Sequence, residues 1–267
     1  MSISKAHKLG IACFFSALVP AFYGSFLAAL PLFLFVGVCM IAPFLPRLGF
    51  FLPVISHGKS RYKAVSLTFD DGPDPFSTEP LLALLDRHGV KATFFVVGKK
   101  VASHPHLIEK ILEKGHSLGN HTYRHDNFCM LKSSRYLYSE ISAVQEMLAL
   151  FHVKALAFRP PVGITNPKLQ GVLGKLGMVT VNFSYRGLDM GNRRLKGLSR
   201  RVLKHLQRGH IIALHDVMPK GDGALQFWLH EIDKILQGIK GRGFKVLPLS
   251  ELIEQPVMIR TGDKEKT

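Results

Sequence analysis

Hydrophobic and polar positions follow three patterns along this chain. From Leu9 to Pro46 no charged side chain interrupts the sequence, a stretch nearly twice the ~20 residues that one membrane-spanning helix needs. A secretory leader has a much shorter apolar region, about 7–15 residues, and no small-residue cleavage site stands out here. Residues 1–46 therefore read as a membrane anchor. The length suits either a tight hairpin of two helices or one span followed by an interfacial piece, with Pro20, Gly24 and Pro31 as break points. Lys5 and Lys8 precede the apolar run, and Arg47, Lys59, Arg61 and Lys63 follow it. Basic residues at both ends favour a hairpin whose two ends face the cytoplasm.

Residues 47–62 read as a linker. Beyond them short apolar runs alternate with amphipathic stretches of helical period. The runs are Ala64–Phe69, Ala92–Val97, His116–Asn120, Ala155–Arg159, Val179–Ser184, Ile211–His215 and Phe244–Leu249. The helical patterns are Glu79–His88, His104–Lys114, Ser134–Phe151, Pro167–Leu176, Leu195–Gln207 and Leu225–Lys240. Near-continuous apolar strands separated by helices predict an α/β domain with a parallel sheet covered by helices. About seven strand–helix units suit a (β/α) barrel better than an open sheet. The domain is expected over residues 63–254, with a polar tail over 255–267.

Charge and cysteine content sharpen this picture. The chain carries 35 Lys and Arg against 19 Asp and Glu, and the first acidic residue is Asp70. Such a balance favours anionic partners, phospholipid headgroups or a lipid-linked phosphate among them; the plainer account is positive-inside bias around a membrane segment. No basic run is interleaved with aromatics, so no nucleic-acid partner is expected. Cys13, Cys39 and Cys129 are far apart and have no metal-ligand spacing, which argues against a disulfide framework or a cysteine zinc site. Nothing in the sequence indicates the oligomeric state.

Candidate chemistry lies where the strands end, since in barrels of this kind the loops converge at the C-terminal ends of the strands. The first strand runs into Asp70-Asp71-Gly72-Pro73 and the third into Asn120-His121-Thr122-Tyr123-Arg124-His125. The fourth ends in Arg159-Pro160-Pro161, the fifth leads to Asp189, and the sixth ends in His215-Asp216. Each group has an ordinary explanation when taken alone. Asp, Gly and Pro make turns for local reasons, an HxxxH spacing is common on surfaces, and a single histidine is more often a satisfied core residue. Two adjacent carboxylates at an apolar strand end repel each other, however, and a bound cation relieves that repulsion. Two imidazoles with one carboxylate form a ligand set that leaves positions open for water and substrate, and zinc is the first candidate for it. Five strands delivering such groups to one rim favour a functional site.

These segments resemble the polysaccharide deacetylase family, also called NodB-homology, from about Lys63 to Leu252. Thr68-Phe69-Asp70-Asp71-Gly72-Pro73 is similar to the family's first motif and Gly119–His125 to its second. Phe158-Arg159-Pro160-Pro161-Val162-Gly163 resembles the third, Asp189 stands in the fourth, and Leu214-His215-Asp216 in the fifth. The resemblance implies a distorted (β/α) barrel and hydrolysis of an acyl group on an amino sugar of a glycan or glycolipid. It implies that Asp71, His121 and His125 bind one divalent metal ion, that Asp70 is the general base and that His215 is the general acid. Arg159 would orient Asp70, Asp189 would keep His215 protonated, and Val162 would offer its backbone N–H to the oxyanion.

Amide hydrolysis requires an activated water, a stabilised oxyanion and a proton for the leaving amine. The implied roles meet these needs. Three features depart from the family pattern: Val162 replaces a tyrosine, Met190 a tryptophan with Arg186 at a position often acidic, and Ala213 a leucine. All are expected on the substrate side, so an altered acyl pocket or acceptor is expected with the chemistry retained. A membrane anchor and a basic surface also suit a deformylase or deacetylase of an isoprenoid-linked sugar phosphate, acting at a bacterial-type plasma membrane. An inactive glycan-binding or scaffold protein is the reading from another class; loss of Asp70 or His215 would favour it, and both are present.

Overall fold

A computed structural model describes residues 4–45, 47–59 and 63–261. Its strands are β1 (Val54–Ile55), β2 (Ala64–Asp70), β3 (Thr93–Val96), β4 (Ser117–Asn120), β5 (Val153–Ala155), β6 (Ala157–Phe158), β7 (Val179–Val181), β8 (Tyr185–Arg186), β9 (Ile211–His215), β10 (Lys245–Val246) and β11 (Met258–Arg260). The helices are α1 (Lys5–Phe22), α2 (Ala29–Ile41), α3 (Thr78–Arg87), α4 (Gly98–Ser103), α5 (Pro105–Glu113), α6 (Ser134–Ala149), α7 (Pro167–Leu176), α8 (Leu198–Lys204), α9 (Ala224–Gly241) and α10 (Leu249–Ile253).

The sheet runs β1-β7-β6-β4-β3-β2-β9-β8, with β10 also on β2, and its pairings are parallel. Strands β7 and β8, near opposite ends of this order, belong to one stretch of chain, 179–186. Within that stretch Asn182 N–H donates to Ile55 O at 2.9 Å, and Ser184 N–H to Ile211 O at 3.1 Å. The chain thus passes from one side of the sheet to the other, and the sheet curls into a distorted (β/α) barrel. Every residue of β2 is buried, as a parallel strand covered on both faces must be. Helices close the outside; α9 turns Trp228, Ile232, Ile235, Leu236 and Ile239 inward, at the three-to-four spacing of an amphipathic helix.

Strand register creates the functional rim. Asp70 pairs with Phe95 and with His215 across the neighbouring strands, Val96 with Asn120, and Asn120 with Phe158. Asp70 and His215 therefore lie side by side, and His121 and Arg159 each follow a paired residue. Because side chains alternate along a strand, Thr68 shares a face with Asp70.

Two boundaries differ from expectation. Within the expected linker 47–62, the described residues 47–59 are packed on the domain: Phe50, Phe51 and Leu52 are buried, β1 adds to the sheet beside β7, and Gly58 N–H donates to Gly209 O at 2.7 Å. Likewise the polar tail begins later than residue 255, since Val257 is buried and β11 pairs antiparallel with β5. Short strands of this kind are stabilised by pairing with distant segments, so local polarity hides them. Pro46, Arg61 and residues 262–267 lie outside the described residues.

The N-terminal apolar segment forms two antiparallel helices. Of the expected break points, Gly24 is the one used, at φ 64° between α1 and α2. A Cβ at Gly10 would lie 3.1 Å from the Phe35 ring, and Ala6 N–H donates to Phe50 O at 3.0 Å. Most outward side chains of the pair are large and apolar, with Phe14, Phe15, Phe22, Phe26, Phe33 and Phe44 all exposed. The helical stretch Phe26–Phe44 is long and apolar enough to cross a membrane, with a mean hydropathy of 2.4.

Candidate active site

Strand β2 ends at Asp70, and the next residue adopts φ 69°, a conformation uncommon for a residue with a side chain. That turn sends the two neighbouring carboxylates to different partners. Asp70 Oδ1 accepts a hydrogen bond from Arg159 Nη1 at 2.6 Å. Asp71 Oδ1 instead lies 2.9 Å from His125 Nε2 and 3.3 Å from His121 Nε2. Repulsion between adjacent carboxylates is resolved by giving each its own cationic or metal-binding partners.

The two histidines reach Asp71 from a loop, not from one face of a helix. Thr122 and His125 both have positive φ, 66° and 55°. Asn120 Oδ1 accepts from Thr122 N–H at 3.1 Å, and Thr122 Oγ1 from His125 N–H at 3.2 Å, so the loop is tied to the end of β4. His121 Nδ1–H donates to Arg159 O at 2.6 Å. A carbonyl can only accept, so this bond leaves the Nε2 lone pair of neutral His121 facing Asp71 Oδ1. That oxygen is itself buried and unsatisfied by a conventional hydrogen bond. The ligand atoms of Asp71, His121 and His125 all lie within 4.8 Å of one another. The His121 lone pair and the His125 Nε2 meeting at one buried carboxylate oxygen fit a cation, and two imidazoles plus a carboxylate are donors that zinc and similar divalent ions accept. Burial pushes the Asp71 carboxyl up, but the two imidazoles outweigh it and hold the group well below the usual carboxylate range. Burial lowers the affinity of His125 for a proton, while Asp71 raises it by more, so its net direction is upward.

Arg159 is fully buried. Besides Asp70, its guanidinium donates to Thr68 Oγ1 at 2.7 Å, Val181 O at 3.1 Å and Asn182 O at 3.0 Å. Its Cζ sits 4.0 Å from the centre of the Phe95 ring. Such a fixed fork leaves the Asp70 carboxylate little freedom. On the other side of Asp70, His215 Nδ1–H donates to the fully buried Asp189 at 2.6 Å. Burial pulls the His215 imidazole down, but the hydrogen bond and charge of Asp189 raise it further, for a net upward shift.

A small concavity of about 30 Å³ joins Asp70, Asp71, His121, His125, Val162 and His215, with Pro160, Gly163, Phe183 and Arg186 completing its wall. Arg159 and Asp189 stand behind it, touching Asp70 and His215. All eight site residues expected from sequence are therefore brought together. Val162 adopts φ 52°, an outlier for a β-branched residue, and is 39% exposed at the rim. Met190, at φ 54°, is exposed. Ala213 differs from expectation: it is buried in β9 beneath the pocket, paired with Thr68 and Arg186, and does not line it. It shares a strand face with His215, but two residues along the strand place it one layer deeper.

Sequence reasoning overlooked the residues that hold these groups in place. Asp216 is fully buried and accepts from Ser77 Oγ at 2.7 Å and Thr78 Oγ1 at 2.6 Å, while its N–H donates to Asp70 O at 2.8 Å. Burial pushes its carboxyl up to about 6. A Cβ at Gly72 would lie 2.6 Å from Asp216 Oδ2, so glycine is required where the loop crosses this carboxyl. Asp74 accepts from the N–H groups of Phe76, Ser77 and Met218. Asn192 Nδ2 donates to the carbonyls of His215 and Val217. Asp216 stood in a recognised motif without a role of its own and Asp74 followed one, which was the available signal; Ser77 and Thr78, the partners of Asp216, and Met218, one partner of Asp74, lie far away in the chain.

A curled parallel barrel with a His₂–carboxylate cluster at its rim defines a class of metal-binding hydrolase scaffold. Residues 57–181 match the polysaccharide deacetylase family. A peptidoglycan-N-acetylglucosamine deacetylase of Bacillus cereus is 32% identical over 193 residues, covering 72% of this chain and 88% of the relative. A chitooligosaccharide deacetylase of Bradyrhizobium sp. is 30% identical over 199 residues, covering 71% and 90%. Among solved structures, a peptidoglycan N-acetylglucosamine deacetylase superposes with a TM-score of 0.69 at 29% identity, covering 76% of this chain and 94% of that one. The chain belongs to the polysaccharide deacetylase family and is a metal-dependent carbohydrate deacetylase, a hydrolase of amide bonds.

Proposed function

We propose that this protein removes an acetyl group from an N-acetylated amino sugar of a glycan or of a membrane-bound glycan precursor. One observation carries the reading: Asp71, His121 and His125 converge on one point, and the adjacent Asp70 and His215 line the same concavity. The first three residues would hold the divalent ion, with zinc the best match to their donors; when bound, it supplies Lewis acidity to the acyl oxygen and acidity to a water.

Asp70, held by Arg159, accepts the proton of the attacking water. As the tetrahedral centre forms, the Val162 N–H donates to the developing oxyanion. The C–N bond then breaks, and His215 Nε2–H delivers its proton to the leaving amine. Asp189 orients His215 through Nδ1 and favours the imidazolium needed for that transfer. A cavity near 30 Å³ is far below the several hundred Å³ of an enclosing ligand pocket. The sugar would therefore lie mostly outside, as suits a chain or a large headgroup presenting one acyl group.

The apolar hairpin would anchor the catalytic domain, which extends from the buried Phe50 region to β11. Lys5 and Lys8 enter the hairpin beside the chain that leaves it at Arg47, since Lys5 Nζ donates to Leu48 O at 2.8 Å. By the positive-inside tendency this shared basic side would face the cytoplasm, where a lipid-linked precursor is the accessible glycan. A C-terminal reporter fusion tests the side. Metal-dependent acetate release by the purified protein, absent in Asp70→Asn, tests the activity; binding of the glycan without release by the wild type would support the inactive scaffold instead.

A further inference from the structure

Arg186 lines the same concavity and has no part in the chemistry just described. It is half-buried at the end of β8. No ion pair reaches its guanidinium among the described residues. Its neighbour is the Phe183 ring, 5.8 Å from its Cζ, and the same ring lies 5.8 Å from Arg159 Cζ. Phe183 thus positions the guanidinium without neutralising it. The carboxylates of the pocket are engaged elsewhere, Asp70 with Arg159 and Asp71 with the histidines. Arg186 is therefore a surplus cation, partly desolvated, beside the point where the acyl group must sit.

A planar guanidinium in that position binds two oxygens of a carboxylate or phosphate better than any neutral hydroxyl. The loop that follows adds exposed Arg193, Arg194 and Lys196, which strengthens the attraction for an anion from a distance. We propose that Arg186 determines specificity by recognising an anionic substituent, a carboxylate or a phosphate, on the acylated sugar or its neighbour. This rests on the deacetylase reading and names the substrate class of that site.

The test compares kcat/KM of the full-length, metal-loaded protein on three probes: a neutral N-acetylglucosamine oligomer, the same oligomer carrying lactyl carboxylates, and the oligomer 1-phosphate. The wild type is expected to favour at least one anionic probe by about tenfold, and the preferred one identifies the source of the charge. In Arg186→Met the anionic-to-neutral ratio should fall by about 10–100-fold, the range of a charged hydrogen bond. Arg186→Lys should give an intermediate ratio and guards against a folding defect in the methionine variant. A ratio unchanged in Arg186→Met, or a wild type that prefers the neutral probe, overturns this inference and leaves the deacetylase reading intact. Hydrolysis of none of the three overturns both.

Discussion

The two sides of the pocket are built differently. On the ion-holding side, Asp71, His121 and His125 belong to turns that start at the ends of β2 and β4 and are tied down by Asp216, Asn120 and Arg159. On the substrate side, Val162, Leu188 and Met190 sit at positive φ in loops and are exposed. The first side carries the segments that resemble the family's motifs; of the departures from them, Val162, Arg186 and Met190 belong to the second side and Ala213 lies beneath the pocket. Chemistry tolerates little displacement of the reacting groups, so it is placed on strand ends and locked by buried hydrogen bonds. Substrate choice can change by replacing a rim side chain without disturbing that framework.

The largest effect should come from breaking the chemical side. Asp70→Asn removes the proposed base while keeping its shape, and acetate release should fall by about 10²–10⁴-fold. Retained metal content would confirm that the loss is chemical; near-normal turnover would contradict the assignment.

Asp189→Asn comes next. His215 has a raised pKa in the fold, so its acid form persists above the ordinary value near 6.5. The linked stability is present below that ordinary value and is lost as pH rises through the raised one. Without Asp189, the alkaline limb of kcat should move to lower pH, with about a tenfold loss per unit moved on that limb. A pH–rate profile and an NMR titration of His215 read the shift directly.

Asp216→Ala should leave the hydroxyls of Ser77 and Thr78 without their buried acceptor, at a cost of about 1–3 kcal/mol, read as a lower thermal midpoint. Asp216→Asn should be milder because it keeps an acceptor. The Asp216 pKa near 6 lies above the ordinary ~3.9 of an unfolded chain, so this group favours folding below that ordinary value, and its contribution is lost as pH rises toward 6.

The smallest effects belong to the rim and the layer beneath it. Val162→Tyr and Ala213→Leu should change acetyl-over-propionyl preference by about tenfold or less, with metal content constant. Unchanged preference in both would locate acyl selection elsewhere.

What could be read from the sequence followed the strength of local signals. Strand β9 and helix α7 fall on their expected boundaries because one is a continuous apolar run and the other starts at Asn166-Pro167 and ends at Gly177. Strands β1 and β11 were invisible because two or three residues beside polar neighbours carry no period; distant pairing stabilises them. The chemical residues were legible because they directly follow apolar strands. Their geometry was not, because Asp71, His125 and Val162 adopt left-handed backbone conformations that are uncommon for any residue with a side chain and an outlier for valine. The support from Asp216 depends on contacts with Ser77 and Thr78, more than a hundred residues away in sequence.

The central claim is that Asp71, His121 and His125 together hold one divalent ion. Elemental analysis of the full-length protein, reloaded with zinc and dialysed, tests it most directly. The account predicts about one equivalent per chain in the wild type and in Asp70→Asn, and loss of that equivalent in both His121→Ala and His125→Ala with the fold retained. Full metal content in either folded histidine variant, or none in the wild type, would contradict it.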